Sequence, residues 1–172
     1  GDIHGDINFL KALKVDPDIE NCNIIVLGDF GANYFEDWRD ERFKDIANSL
    51  GCRFYVVRGN HEMRPKDIDG MDFCMDADVH GLIFYEKKYP NIRYFDEWGI
   101  YNIGGYRCGV IGGAYSVDKN YRIEHNLNWF SNEQLSAEER AQCRKDFEGF
   151  EFDFIFSHTC PYKWRPTDKF LG

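Results

Sequence analysis

Residues 23–29 read NIIVLGD. A continuous apolar run bounded by polar residues is the pattern of a strand covered on both faces, as in a parallel sheet, and not the alternation of a half-solvated strand. The run halts at Gly28 and Asp29, and the same arrangement returns where FYVV, residues 54–57, runs into RGNHE. Between the two, Phe43, Ile46, Ala47 and Leu50 keep helical spacing up to Gly51, a C-terminal cap. Strand, polar loop, helix, strand, polar loop is a βαβ unit with a right-handed crossover, so the fold class is α/β.

Toward the N-terminus the chain opens on GDIHGD, and Ile7, Leu10 and Leu13 then fall every third position, on one face of a short helix. Asp2, Asp29 and Asn60 are separated by 27 and 31 positions, close to the roughly 30 residues of a βα unit. The polar loops therefore recur at one end of successive strands, where open α/β sheets bind ligands. Toward the C-terminus, residues 100–103, a Gly104-Gly105 turn and residues 106–111 read as a hairpin, which belongs to antiparallel pairing in a second sheet. Ser136 and Glu139 form a capping box that opens an exposed helix reaching Phe147. DFIF, residues 153–156, is a further buried strand and ends in SHTCP, a fourth polar loop.

A length of 172 residues suits one core, and 43% apolar with 17% aromatic residues is enough to build it. The net charge of −9 argues against a general nucleic-acid surface or an anionic-membrane surface, since either needs a basic face. No apolar run approaches the roughly 18 to 20 residues of a membrane span, and no signal peptide is visible. Six cysteines without CxxC pairing fit reduced thiols in a cytoplasmic protein.

The loops carry the chemistry. Asp2 and His4 leave the first, Asp29 the second, Asn60 and His61 the third and His158 the fourth. Oxygen and nitrogen donors without thiolate suit manganese, iron, zinc or magnesium. A carboxylate between two such groups can bridge two ions, and ions about 3.5 to 4 Å apart clamp the attacking and leaving oxygens of a phosphoryl transfer. One aspartate after a strand is more often a helix cap; four polar loops in this order, each after a strand, are not explained by capping.

GDIHG, GDFG, RGNHE and SHTCP resemble the calcineurin-like metallophosphoesterases, whose pattern is D-x-H, G-D, G-N-H-[DE], a later histidine and a closing G-H-x-H. GDIHG and RGNHE are similar to the protein serine/threonine phosphatases and the dinucleoside polyphosphate hydrolases, while GGAYSVDKNYR and SHTCP resemble uncharacterised phage and bacterial members. The resemblance implies a four-layer α/β/β/α sandwich of two mixed sheets and two divalent metal ions, manganese foremost, with iron, zinc or magnesium as alternatives. It implies Asp2 and His4 as ligands of the first ion, Asp29 as the bridge, Asn60 and His158 as ligands of the second, and His61 as the acid that protonates the leaving oxygen. Arg58 matches a phosphate-contacting arginine. The implied reaction is hydrolysis of a phosphate monoester or diester, in a phosphoprotein or a nucleotide, by direct attack of metal-bridging hydroxide. The competing reading is a binding module with the same fold and a weakened metal site. A serine or cysteine hydrolase is excluded, because neither Ser157 nor Cys160 sits in a G-x-S-x-G elbow.

Two departures from the family pattern stand out. No G-H-x-H follows SHTCP, and no strand precedes Gly1, so the expectation is a single metallophosphoesterase domain over residues 1–172 that lacks its first strand and its C-terminal part. Ala32 stands where protein phosphatases carry the aspartate that orients the histidine acid, and Asp6 and Glu62 are the candidates to replace it. Arg122, with Lys119 and Tyr115, is expected to border the site and Arg122 to contact substrate. Tyr34, Phe35 and Trp38 are expected to pack or to cover the pocket mouth, and Asp37, Asp40 and Glu41 to form a solvated helix start. His80 and His125 fit no motif and read as surface or packing residues.

Overall fold

A computed structural model of the chain describes residues 1–161 and 163; the last stretch of the expected 1–172 domain lies outside the described residues. Strand β1 (Asn23–Leu27) runs parallel to β2 (Arg53–Val57), paired from Asn23 opposite Arg53 to Leu27 opposite Val57. Because the two strands end together, the loops that follow them leave from the same sheet edge. Helix α1 (Ile7–Lys14) precedes β1 and α2 (Trp38–Asn48) makes the crossover to β2. Next come β3 (Met71–Asp76), β4 (Gly81–Glu86) and β5 (Ile92–Phe95), giving a five-stranded sheet of order β1-β2-β5-β4-β3. β5 is parallel to β2 and antiparallel to β4, so this sheet is mixed. The second sheet holds β6 (Trp98–Ile103), β7 (Tyr106–Ile111) and β8 (Phe154–Ser157), with β6 antiparallel and β8 parallel to β7. Helices α3 (Lys119–Glu124) and α4 (Ala137–Phe147) lie between β7 and β8 in the chain.

The period of two in a strand explains the layers. Phe54 and Val56 of β2 face α1 and α2 and pack with Leu10, Phe30, Phe43 and Ala47. Tyr55 and Val57 face the other way and pack with Ile83, Phe95, Tyr101 and Val110 between the sheets. A strand buried on both faces cannot alternate, which is why FYVV is unbroken. On the outer face of the second sheet, α4 and its following turn cover β7: a Cβ on Gly109 would lie 3.2 Å from the Phe147 ring and 3.3 Å from the Phe152 ring. The order is helices, sheet, sheet, helix, the α/β/β/α sandwich of two mixed sheets.

β1 departs from its reading in one respect. It is the edge of its sheet, so Val26 is buried while Leu27 remains 37% exposed, although both faces carry apolar residues. The β3–β4 hairpin and β5 carry weaker signals. β3 is the opposite edge and mixes exposed Phe73 and Met75 with aspartates, and its turn is held by Asp76 accepting the N–H groups of Asp78 and Val79.

The capping box of α4 is formed as its sequence implies, with Ser136 and Glu139 exchanging side-chain and backbone bonds. Glu139 also accepts two bonds from Arg64, and this pairing holds its carboxyl at about 2, against 4.5 ordinarily. A carboxyl depressed on folding stabilises the native state above its unfolded pKa, and that contribution fades as pH falls from 4.5 toward 2. Glu139→Gln is therefore expected to lower the melting temperature at pH 6, with the gap to the parent closing steadily below pH 4.5. A gap constant from pH 6 to pH 3 would exclude this ion pair as the cause.

Candidate metal centre

The first loop is laid along the second by backbone bonds. The Asp2 N–H donates to the Gly28 carbonyl (3.1 Å), the Ile3 and His4 N–H groups to the Asp29 carbonyl (2.9 and 2.8 Å), and the Gly5 N–H to the Phe30 carbonyl (3.0 Å). This contact bends Asp2, His4 and Asp29 into the left-handed region, with φ of 59°, 49° and 50°. Non-glycine residues held there are strained, and such strain collects at functional sites. Here it falls on three residues whose side chains meet: one donor atom of each lies within 4.8 Å of the others.

The third loop is pressed onto the second. A Cβ on Gly59 would sit 1.9 Å from Asp29 Oδ1, so only glycine fits directly before Asn60. The gap closes with the His61 N–H donating to Asp29 Oδ1 at 2.9 Å. Buried Glu62 ties both loops together, accepting the N–H groups of Phe30 (2.7 Å), Gly31 (3.0 Å) and Gly59 (3.1 Å). Burial pushes the Glu62 carboxyl up to about 7 in spite of those three amides. Glu62→Gln would turn an NH2 group toward at least one of these N–H groups, and the expected cost is about 1–3 kcal/mol of stability by denaturant unfolding. An unchanged midpoint would show that the clamp is dispensable.

Neither candidate for orienting His61 does so. Glu62 is spent on loop amides, and Asp6 caps α1 by accepting the Asn8 N–H at 2.8 Å. Ala32 itself is fully buried among the residues packed against the helices. The His61 ring instead meets Asn60 Nδ2 (3.0 Å) and Arg122 Nη2 (3.3 Å) through Nε2, with Tyr34 edge-on at 6.2 Å between centroids.

His158 completes the cluster from the end of β8. Its Nδ1 donates to the Leu27 carbonyl (2.9 Å), which turns Nε2 inward to Asn60 Oδ1 (2.9 Å), Asp29 Oδ2 (3.4 Å) and Asp2 Oδ1 (3.9 Å). Fixing one ring nitrogen on a carbonyl so that the other is free is the usual support of a metal-ligating imidazole. Burial lowers the His158 pKa, but the bonds to Asp29 and Leu27 outweigh it and lift the group to about 9. Burial likewise works against the Asp29 carboxylate, yet His158 and the His61 amide hold it below its ordinary range.

The donors fit a pair of divalent cations. Asp29 is 2% exposed and its Oδ2 lies between His158 Nε2 (3.4 Å) and His4 Nε2 (3.7 Å). Ligands about 2.1 Å from one ion stand roughly 3 to 3.5 Å apart; the 3.4 Å pair has this spacing and the 3.7 Å pair is slightly wider. Asp2, His4, Asp29, Asn60, His61 and His158 are thus brought together.

Arg122 reaches the same place. A cavity of about 200 Å³ is lined by His4, Gly31, Tyr34, Phe35, His61 and Arg122. Asp118, the Tyr34 hydroxyl and the Asn128 carbonyl accept from the guanidinium at 2.8, 2.8 and 3.3 Å. Burial holds the His61 imidazole below its usual range, and Arg122 adds to this against the pull of Asp29. Asp40 corrects the reading of a solvated helix start. It is buried and accepts the N–H groups of Tyr34, Phe35 and Glu36, so it shapes the aromatic wall of this cavity. A larger space of about 620 Å³, bordered by Tyr115 and α4, contains none of the metal-type donors from the four loops.

Arg58 is not brought to the opening. Its guanidinium is buried and donates to Glu97 through Nε (2.7 Å) and Nη2 (2.5 Å) and to the Gly59 and Glu133 carbonyls through Nη1. Its place is inside the protein, between loops, which corrects the expectation of a phosphate contact. Lys119 lies over the Trp129 ring at 4.2 Å, Trp38 is 65% exposed, and His80 and His125 are at the surface. Ser116 and Glu133, both buried beside Asn60, were not singled out by the sequence reading; the only signal was the GGAYS stretch that holds Ser116.

Residues 1–171 match the calcineurin-like phosphoesterase family model, and the chain belongs to that family. No curated protein matches the chain. Members of the family generally use a dinuclear metal centre.

Proposed function

We propose that the protein is a dimetal-dependent phosphoesterase that hydrolyses a phosphate monoester or diester, in a phosphoprotein or a nucleotide, by direct attack of water and without a covalent intermediate. One observation carries this reading: the loop before α1 and the loops after β1, β2 and β8 bring four oxygen and nitrogen donors, from Asp2, His4, Asn60 and His158, around a buried Asp29, with His61 and Arg122 facing the adjoining cavity. Asp2 and His4 would hold one ion, Asn60 and His158 the other, with Asp29 shared; manganese is the first candidate. Two such cations would lower the pKa of water and offset charge on the phosphoryl oxygens.

The chain supplies the remaining functions. His61 lies at the cavity wall, positioned to give a proton to the leaving oxygen. Arg122, already aligned by Asp118 and Tyr34, presents a planar guanidinium suited to phosphoryl oxygens. Tyr34 and Phe35 form the aromatic wall of the cavity that both face. The net charge of −9 supports a small phosphate ester or a phosphoprotein as partner over nucleic acid at large. Six free thiols support a reducing, cytoplasmic setting, and among the described residues no helix is long and apolar enough to cross a membrane.

The test is manganese-dependent hydrolysis of an aryl phosphate monoester and of the matching diester. His61→Ala is expected to lower kcat by about 10²–10⁴ for an alkyl leaving group and by much less for an acidic phenol, which departs without a proton. Metal content should not change. Equal losses for both leaving groups would remove the acid role from His61, and silence on both esters without bound metal would favour the binding module.

A further inference from the structure

Asn60 can serve as an oxygen donor only if its amide faces the right way. Rotation by half a turn exchanges Oδ1 for an NH2 group that cannot ligate a cation, so something must choose between two nearly isosteric orientations. The Asn60 Nδ2 donates to the Ser116 hydroxyl at 2.9 Å, which leaves Oδ1 toward His158. A hydroxyl can also donate, so this bond alone does not settle the matter.

Glu133 settles it. Ser116 Oγ lies 2.5 Å from Glu133 Oε2, and a carboxylate only accepts, so the single hydroxyl proton is committed to Glu133. Ser116 then has only lone pairs to offer Asn60, which must answer with its NH2. The carboxylate is fixed in turn: Oε1 accepts the Ser116 N–H (3.1 Å) and Oε2 accepts the Trp129 Nε1–H (2.8 Å). Ser116 and Glu133 are 1% and 3% exposed, so water does not compete. The backbone is anchored as well. The Glu133 carbonyl accepts from Arg58, and the Gly113 N–H donates to the Arg58 carbonyl at 2.7 Å.

We propose that Glu133, acting through Ser116, sets the orientation of the Asn60 amide and is thereby a positioning residue for the cation held by Asn60 and His158. This rests on the metal-site reading above and assigns a purpose to the GGAYS stretch. Gln would keep its oxygen at the Oε2 position, where the Ser116 hydroxyl and the Trp129 Nε1–H both donate, so the informative variant is Glu133→Leu, which leaves the Ser116 hydroxyl no acceptor there. The hydroxyl proton would then be free for Asn60, and the amide would turn its nitrogen toward the site.

The experiment titrates manganese into the purified chain, counting bound ions and recording the electron paramagnetic resonance spectrum for exchange coupling between two ions. Glu133→Leu and Ser116→Ala are each expected to weaken one of the two ions about 10–100-fold, the range for residues that support a ligand, and to lose the coupled signal at concentrations that load the parent protein. Asn60→Asp provides the control, because its two oxygens are equivalent and need no orienting. In that background Glu133→Leu should cost no manganese affinity, whereas a merely structural role would cost the same in both. Two ions bound with parental affinity in Glu133→Leu and Ser116→Ala would overturn the proposal while leaving the metal site intact. A parent chain that holds no coupled pair would overturn both.

Discussion

Asp29→Asn is expected to lower metal-dependent ester hydrolysis by at least roughly 10³-fold and to weaken manganese binding in the same protein. The substitution is nearly isosteric, and the reason for so large an effect lies in what each oxygen does. Oδ1 accepts the His61 N–H at 2.9 Å, and an asparagine oxygen can keep that bond. Oδ2 faces His158 Nε2 at 3.4 Å and His4 Nε2 at 3.7 Å. Asparagine would place an NH2 group there, removing both the charge and the shared oxygen from a carboxylate that is 2% exposed. The loop itself should hold, because Glu62 and the backbone bonds from the first loop do not involve this side chain. Turnover, bound manganese and the melting temperature of the metal-free protein are the three readings. Parental turnover with parental metal content would end the assignment of Asp29 as the shared ligand.

The βαβ unit was legible because its signal is doubled. FYVV lies between helices and a second sheet, so burial on both faces imposes an unbroken apolar run, and parallel register carries the loops after β1 and β2 to one edge. The donor set was legible for a related reason: short polar motifs directly follow β1, β2 and β8, the first two flanked by glycine. Gly28 and Gly59 are needed because a Cβ would meet His158 Nδ1 at 2.2 Å and Asp29 Oδ1 at 1.9 Å. What was not legible depends on partners far away in the chain. Arg58 looks like any cation before GNHE until Glu97, 39 positions on, is seen to occupy it. Asp40 reads as helix-start charge, yet it closes on the N–H groups of residues before its own helix, and Glu62 as a possible partner of His61, yet it spans two loops. Spacing reports periodicity along an element and says nothing of which buried donor meets which acceptor. The same limit hid β3 to β5, whose mixed faces follow from an edge position and a four-residue strand.

Glu97→Ala is expected to be the most destabilising single change outside the metal centre, by about 3–5 kcal/mol. Glu97 lies where the chain passes from β5 of the first sheet to β6 of the second, and it is 1% exposed. It takes two bonds from Arg58, and its Oε2 lies 3.4 Å from Arg64 Nε. Truncation would strand the buried Arg58 guanidinium with no carboxylate, while Arg64 keeps its pair with Glu139, and the uncompensated Arg58 charge dominates over the lost contact. For a chain of this length each kcal/mol moves the midpoint by roughly 2–4 °C, so a fall of about 6–20 °C is expected in a thermal scan. Replacing both partners, Arg58→Met with Glu97→Leu, should recover much of the loss, since an apolar pair buries no charge. The pair also separates the two roles open to Arg58. Arg58→Lys keeps a cation but loses the fork, so it should lower stability while KM for an aryl phosphate stays within about 2-fold of the parent. A KM raised more than about 10-fold in a protein of parental stability would return Arg58 to the substrate.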